Sequence, residues 1–181
     1  MSSPSGFNAL NDLVRAAIVG ITGLDGRMVR PRWQPTPPPS PAQDANWCAV
    51  GITARQRLGE PAIVHDPSDD GADVVLTWHR LTYLASFYGP VADDLADRLE
   101  VGLGVEQNRA DLRAGGLALS EVGDPVVAPE LVNTTWVRRV DLELIFEREE
   151  SRTYPVRNLA QAQAGIRADI GQTRTITIKE D

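Results

Sequence analysis

His65 and His79 are the two histidines of the chain, and either could act as a general base or a metal ligand if partners stood at the right spacing. Neither has a Cys or a second His at such a spacing, so no zinc site is expected. His65 precedes Asp66, Asp69 and Asp70, residues that could do acid–base work or hold calcium. The run lacks the ligand order of a calcium loop and its closing Glu, and a solvated turn accounts for it. His79 shares an alternating face with Val75, Leu81, Tyr83 and Phe87, the setting of a structural histidine in a sheet. Cys48, the one cysteine, cannot pair within the chain and falls on an inward, apolar face with Val50 and Ile52. Ser86 and Ser120 have no nucleophile-elbow context. Gly20, Gly23 and Gly26 follow a helical pattern instead of leading a strand into a helix, so they punctuate the chain and cradle no phosphate. No catalytic, cofactor-binding or metal-ligating residue is expected, and the protein reads as no enzyme. A small hydrolase built on His65 or His79 would require that alanine at those positions abolish an activity while leaving the fold intact.

The elements that must position these residues follow from periodicity. Phe7, Leu10, Leu13, Val14, Ala17, Ile18 and Ile21 have helical spacing, ended by Gly23. Met28 to Trp33 reads as a short extended segment at a sheet edge, because Pro31 has no N–H for a central ladder. Trp47 to Arg57 alternates, with Cys48, Val50, Ile52 and Ala54 on a buried face. Ala62 to His65 is a short apolar run, residues 66–71 form a turn, and Asp73 to Tyr88 is rich enough in β-branched and aromatic residues to be a central strand. A helix is expected from Val91 to about Arg113, with Asp93, Asp94 and Asp97 near its positive end, Gly102 and Gly104 weakening its middle and Gly115-Gly116 ending it. Leu117 to Ser120 fits a strand. Thr134 to Arg148 alternates Trp136, Val140, Leu142, Leu144 and Phe146 with Arg139, Asp141, Glu143 and Glu147, the pattern of a half-buried strand. The charged run Glu147 to Arg152 reads as a solvated hairpin bend, and the tail as a hairpin turning near Gly171, with a helix over Leu159 to Ile170 as the alternative.

These elements sum to one α+β domain over residues 1–181: a mixed, largely antiparallel sheet flanked by two main helices, with an exposed proline-rich excursion at 34–46 and a β-rich segment at 149–181. The excursion carries Pro35, Pro37, Pro38, Pro39 and Pro41, stiff and unable to join a ladder. Flanked by Trp33 and Trp47, it suits an arm packing on a neighbouring subunit better than a ligand for SH3-like or WW-like domains. The net charge of −7 opposes the basic footprint of a protein that grips nucleic acid, although DNA sliding past such a surface would be held weakly. No apolar run has bilayer length and the opening residues do not resemble a signal peptide, so synthesis in a host cytoplasm, without a membrane partner, is the expectation.

Four ordered signatures carry a family resemblance. They are the helix ending in Gly20-Ile21-Thr22-Gly23-Leu24, then Val29-Arg30-Pro31-Arg32-Trp33-Gln34-Pro35, then Asn46-Trp47-Cys48-Ala49-Val50-Gly51-Ile52, and later Asn133-Thr134-Thr135-Trp136-Val137-Arg138-Arg139-Val140-Asp141-Leu142 before a β-rich ending. With these the chain resembles the neck or tail terminator proteins of long-tailed bacteriophages, over most of its length. The resemblance implies a structural virion protein at the neck or top of the tail, a homo-oligomeric ring of six copies that ends tail-tube assembly and joins the tail to the head connector. Its partners would be itself, the tail-tube protein and the connector or neck proteins, with DNA passing through. Arg30, Pro31, Arg32, Trp33, Pro37, Pro38, Trp47, Arg138 and Arg139 are the contact residues this reading selects. Another connector, a stopper or a tail-tube subunit are the neighbouring readings, and a tube subunit would differ by growing into filaments.

Overall fold

Leu10, Val14 and Ile18 recur every fourth residue along helix α1 (Phe7–Thr22) and are all buried. Gly23 ends the helix in the left-handed region at φ +77°, its N–H reaching back to the Val19 carbonyl at 2.9 Å. The computed structural model describes residues 7–36, 38–68, 71–132, 134–157, 161–167 and 173–179. After α1 come strands β1 (Val29–Pro31), β2 (Trp47–Asp66) and β3 (Ala72–Tyr88), then helix α2 (Ala92–Leu103), a 3-10 turn (Glu106–Arg109) and a short helix α3 (Ala110–Ala114). Strands β4 (Ala118–Val122), β5 (Val126–Val127), β6 (Glu130–Val132), β7 (Thr135–Val137), β8 (Arg139–Pro155), β9 (Gln161–Arg167) and β10 (Thr173–Lys179) complete the chain.

The main sheet runs β1-β2-β3-β8-β4, with β5 also on β8. β1 is parallel to β2, while β4 and β5 are antiparallel to β8. Cross-strand bonds from Thr77 to Glu150, Arg80 to Glu147 and Gly89 to Arg138 advance along β3 as they retreat along β8, which makes that pair antiparallel too. The architecture is α+β, with a mixed, mostly antiparallel sheet. The chain divides into two compact units, Met1–Gly59 with Thr77–Glu150, and Glu60–Leu76 with Ser151–Asp181.

In the first unit one face of the sheet is apolar. Cys48 and Val50 of β2, Leu81, Tyr83, Ala85 and Phe87 of β3, and Val140, Leu142, Leu144 and Phe146 of β8 alternate into the core. They meet Leu10, Val14 and Ile18 of α1 and Leu95, Leu99 and Leu103 of α2, and Tyr83 meets Phe146 edge to face at 5.6 Å between centroids. Gly102 lets the two helices approach, since a Cβ there would stand 2.3 Å from Ile21 Cγ2. Cys48 lies wholly inside this core, and burial pushes its thiol far above the ordinary range. It is expected to stay inert to a disulfide reagent such as DTNB in the native protein and to react on denaturation; fast native labelling would place β2 outside the core.

In the second unit, Asp66 caps its own turn, accepting bonds from the Ser68 N–H at 3.0 Å and the Ser68 hydroxyl at 2.6 Å, while Gly71 at φ +85° brings the chain round. His65 Nδ1 lies 2.7 Å from Asp73 Oδ1, a side-chain pair across that turn. β9 and β10 pair antiparallel, Gln161 opposite Lys179 through Arg167 opposite Thr173, so the tail is the hairpin and not the helix; Gly171 itself lies outside the described residues.

Four expectations need correction. The helix foreseen over 91–113 stops at Leu103, because Val105 is extended at ψ 121° before the chain re-enters the 3-10 turn and α3; Gly104 supplies no side chain to hold the helix through that break. The strand foreseen from Thr134 starts at Arg139. Trp136 instead sits opposite Leu131 in the separate β6–β7 hairpin and is 68% exposed, away from the core. Glu147 to Arg152 is the interior of β8, not a bend, because its charges find cross-strand partners: Glu147 pairs with Arg80 at 2.9 Å and Glu150 with Arg55 at 3.0 Å. Ala54 is exposed, whereas Ile52, two residues before it, still packs against the core.

Candidate functional site

The residues on the opposite face of the first unit's sheet have the other parity: Arg30 in β1, Trp47 in β2, Ser86 and Tyr88 in β3, Arg139 and Asp141 in β8. The strands bring them together as a continuous row. Arg30 lies over the Trp47 ring, 5.8 Å from its centroid, and Trp47 stacks on Tyr88 at 4.2 Å with 7° between planes. Arg139 lies over the Tyr88 ring at 5.9 Å. Its Nε and Nη2 donate to the two oxygens of Asp141 at 2.8 and 2.7 Å, a bidentate pair that fixes the guanidinium plane. Asp141 also accepts from the Ser86 hydroxyl, which in turn accepts from Arg32 Nη2. Gly51 leaves the space that Arg32 crosses, as a Cβ there would lie 2.9 Å from Arg32 Cβ.

Arg30 and Arg139 are thus placed on rings, Arg139 also on a carboxylate and Arg32 on the Ser86 hydroxyl, and the row ties four strands together through side chains alone. Arg30 Nη1 extends it to the proline-rich segment by donating to the Pro39 carbonyl at 2.8 Å. Burial and the nearby carboxylates outweigh Arg139 and Arg32, raising the Tyr88 phenol above its ordinary range. Asp141, beside it, gives Arg139 a stronger hold on its proton.

Of the nine residues selected in the sequence, Arg30, Arg32, Trp47 and Arg139 meet in this row. Arg138 points elsewhere and pairs with Asp93 in the first turn of α2. The Arg138 guanidinium holds the Asp93 carboxyl below the usual range, so this pair favours the folded chain above the unfolded carboxylate's pKa and loses that contribution as pH falls through the folded value. Arg138→Ala is expected to move the Asp93 midpoint upward in a carboxyl-carbon NMR titration; an unmoved midpoint would remove Arg138 as the cause. Pro31 lies on edge strand β1, Pro38 is exposed and Pro37 is outside the described residues. Trp33 is 76% exposed and sits at φ +59°, unusual for a residue with a Cβ, with its Nε1 donating to the Ile52 carbonyl at 3.3 Å.

Sequence reasoning missed Ser86, Tyr88 and Asp141 as members of this group. Asp141 was within reach, standing two residues after Arg139, whereas Tyr88 and Ser86 gave no signal apart from their parity, opposite to that of the buried residues of β3.

The β1 edge is closed by its own chain. Bonds from Cys48 N to Met28 O and from Arg32 N to Val50 O direct the backbone groups of the even residues toward β2 and leave those of Val29 and Pro31 pointing away from it, while the Val29 side chain stays in the core. The Val29 carbonyl accepts from Arg15 Nε at 2.9 Å, the Pro31 carbonyl accepts from Gln34 Nε2 at 2.8 Å, and Pro31 has no N–H. Strand addition from a neighbour at this edge would have to displace those side chains.

Among the described residues no group of three or more His, Cys, Asp or Glu is placed to hold a metal, and no described helix is long and apolar enough to cross a membrane. The organised polar face is a row of interlocked arginines and rings on an α+β scaffold, the kind of construction that fixes a surface in place. A family model, that of the phage neck terminator proteins, matches residues 8–172, and the chain belongs to that family. It therefore has a structural role in the neck and tail of a phage. No curated protein matches it.

Proposed function

We propose that this protein closes into a ring, six copies around the tail axis, that ends tail-tube assembly at the neck and joins the tail to the head connector. The observation that carries the reading is the family match over residues 8–172, which takes in the arginine–aromatic row and the helices behind it. Two features support it. Side-chain bonds close the β1 edge, which disfavours open-ended sheet addition there and leaves side-chain surfaces to make the contact. Large apolar groups stand out from the first unit, Trp33 76% and Trp136 68% exposed, as subunit contacts require. A net charge of −7 lets DNA pass without being gripped.

Light scattering during size-exclusion chromatography, over a concentration series and followed by imaging of the largest species, tests the reading. A discrete ring that never lengthens is expected, and one that caps tubes when mixed with tail-tube protein. Open-ended filaments would make the chain a tube subunit instead.

A further inference from the structure

Opposite the closed β1 edge, the main sheet ends in β4 and β5, which both lie along β8. Bonds from the Gly123 N–H to the Glu143 carbonyl and from the Ala128 N–H to the Arg139 carbonyl, both 2.9 Å, fix which backbone groups turn toward β8. Val122, opposite Leu144, and Val127, opposite Val140, alternate with those bonded residues, so their N–H and C=O groups point away from β8. Neither makes a bond on that side among the described residues. Val126 and Val127 are 58% and 60% exposed. Around them stand Glu121, Asp124 and Glu143, all exposed and, among the described residues, none paired with a cation; Glu143 lies beside Gly123. A strand edge with unbonded backbone groups, exposed valines and unpaired carboxylates suits a basic, extended segment.

The chain itself carries such a segment. β9 and β10 form a sheet of their own, and two strands by themselves are marginally stable in water. β10 reads Thr173-Arg174-Thr175-Ile176-Thr177-Ile178-Lys179, β-branched apart from its two cations and free of acids. Its length fits as well: Val140 to Leu144 is a run of five residues, and a strand that bonds both Val127 and Val122 must be at least as long. β10 has seven residues, whereas the strands of the β6–β7 hairpin have three each. β9 carries Gly165 and two alanines in its interior and makes the poorer edge. Charge then selects the site, because the part of β2 that β1 leaves uncovered carries Arg55 and Arg57, of the same sign as the cations of β10.

We propose that β10 of one copy adds to the β4–β5 edge of the next, bonding the backbone of Val122 and Val127 and setting Arg174 and Lys179 against Glu121, Asp124 and Glu143. This rests on the ring reading and names the contact that would close it. An edge and a strand at separate places on one chain give a heterologous interface, and a ring follows when the rotation between copies closes.

Hydrogen exchange of the full wild-type chain, read residue by residue in the assembled and dissociated states, tests the contact. The Val122 and Val127 amides are expected to exchange about 100-fold more slowly in the ring than in the single chain. Two variants, their folding checked by circular dichroism, add an independent readout. Val127→Pro removes an outward donor and no bond to β8, and is expected to raise the concentration needed for half-assembly by about 10-fold. Arg174→Glu with Lys179→Glu is expected to weaken assembly more at low salt than at high salt. Rings in which both amides still exchange fast would overturn this contact and leave the ring reading standing, as would rings that form equally well in both variants. Amides already slow in the single chain would show the edge covered from within its own chain and would overturn the contact too. A wild-type chain that never forms a ring would overturn the ring reading itself.

Discussion

Replacing Gly89 with alanine is expected to cost about 3–4 kcal/mol and lower the melting temperature by about 10 °C. Two independent effects combine. Gly89 sits at φ +107°, where an L-side chain is strained, and its added Cβ would stand 2.5 Å from Asn46 Oδ1, 2.6 Å from the Ala45 carbonyl oxygen and 2.9 Å from Asn46 Cα. Two of those atoms are backbone and cannot swing aside. The displaced segment matters because Asn46 Oδ1 accepts the Val91 N–H at 3.1 Å at the entry to α2, and Gly89 N–H itself donates to the Arg138 carbonyl at 3.2 Å. Moving Asn46 also moves Trp47 off Tyr88, so the arginine–aromatic row would loosen along with the fold. Gly26→Ala is the control, since a Cβ there meets nothing within 4 Å, and its cost should stay within about 0.5 kcal/mol. Equal melting temperatures for the two variants would show that the Asn46 turn yields without penalty.

Asp141→Ala is expected to cost about 3 kcal/mol, less than a fully buried pair would because Asp141 is 17% and Arg139 24% exposed at the side chain. The substitution strips Arg139 of both its short bonds and leaves the Ser86 hydroxyl, which is wholly buried, without its acceptor. Arg32 then has no route through Ser86 to a negative charge. Replacing both partners, Arg139→Met with Asp141→Leu, should recover much of the loss, because most of it comes from a charge left with Glu130 alone, at 3.5 Å, and not from the pair's net strength. Urea denaturation of the single and double variants decides the matter; a double variant no more stable than the single ones would mean that the pair itself supplies the stability, and losses that simply add would mean that the two side chains act independently.

The period-two and period-3.6 patterns of apolar residues were enough to place α1, the first half of β2, β3 and β8, because burial of Cys48, Val50, Phe87, Leu142 and Phe146 is a one-dimensional signal written at fixed spacing. The parity of the same strands also marked Trp47 and Arg139 as lying off the core. Local sequence misjudged Trp136 and the run Glu147 to Arg152, since an apolar residue in phase with a strand and a charge cluster that resembles a turn both depend on what lies across the sheet. Arg55 and Arg80 are 95 and 67 residues away from the partners that keep the charged run extended. The break after Leu103 was only half legible: Gly102 and Gly104 weaken a helix, but nothing local showed that Val105 would turn extended there. The site followed the same division. Residue type and order selected its cations and Trp47, while the order β1-β2-β3-β8 alone placed Tyr88, Ser86 and Asp141 between them. Side-chain pairing across strands is set by register, and register is a property of the folded sheet, so the row of stacked rings and guanidinium groups exists only once the tertiary structure has formed.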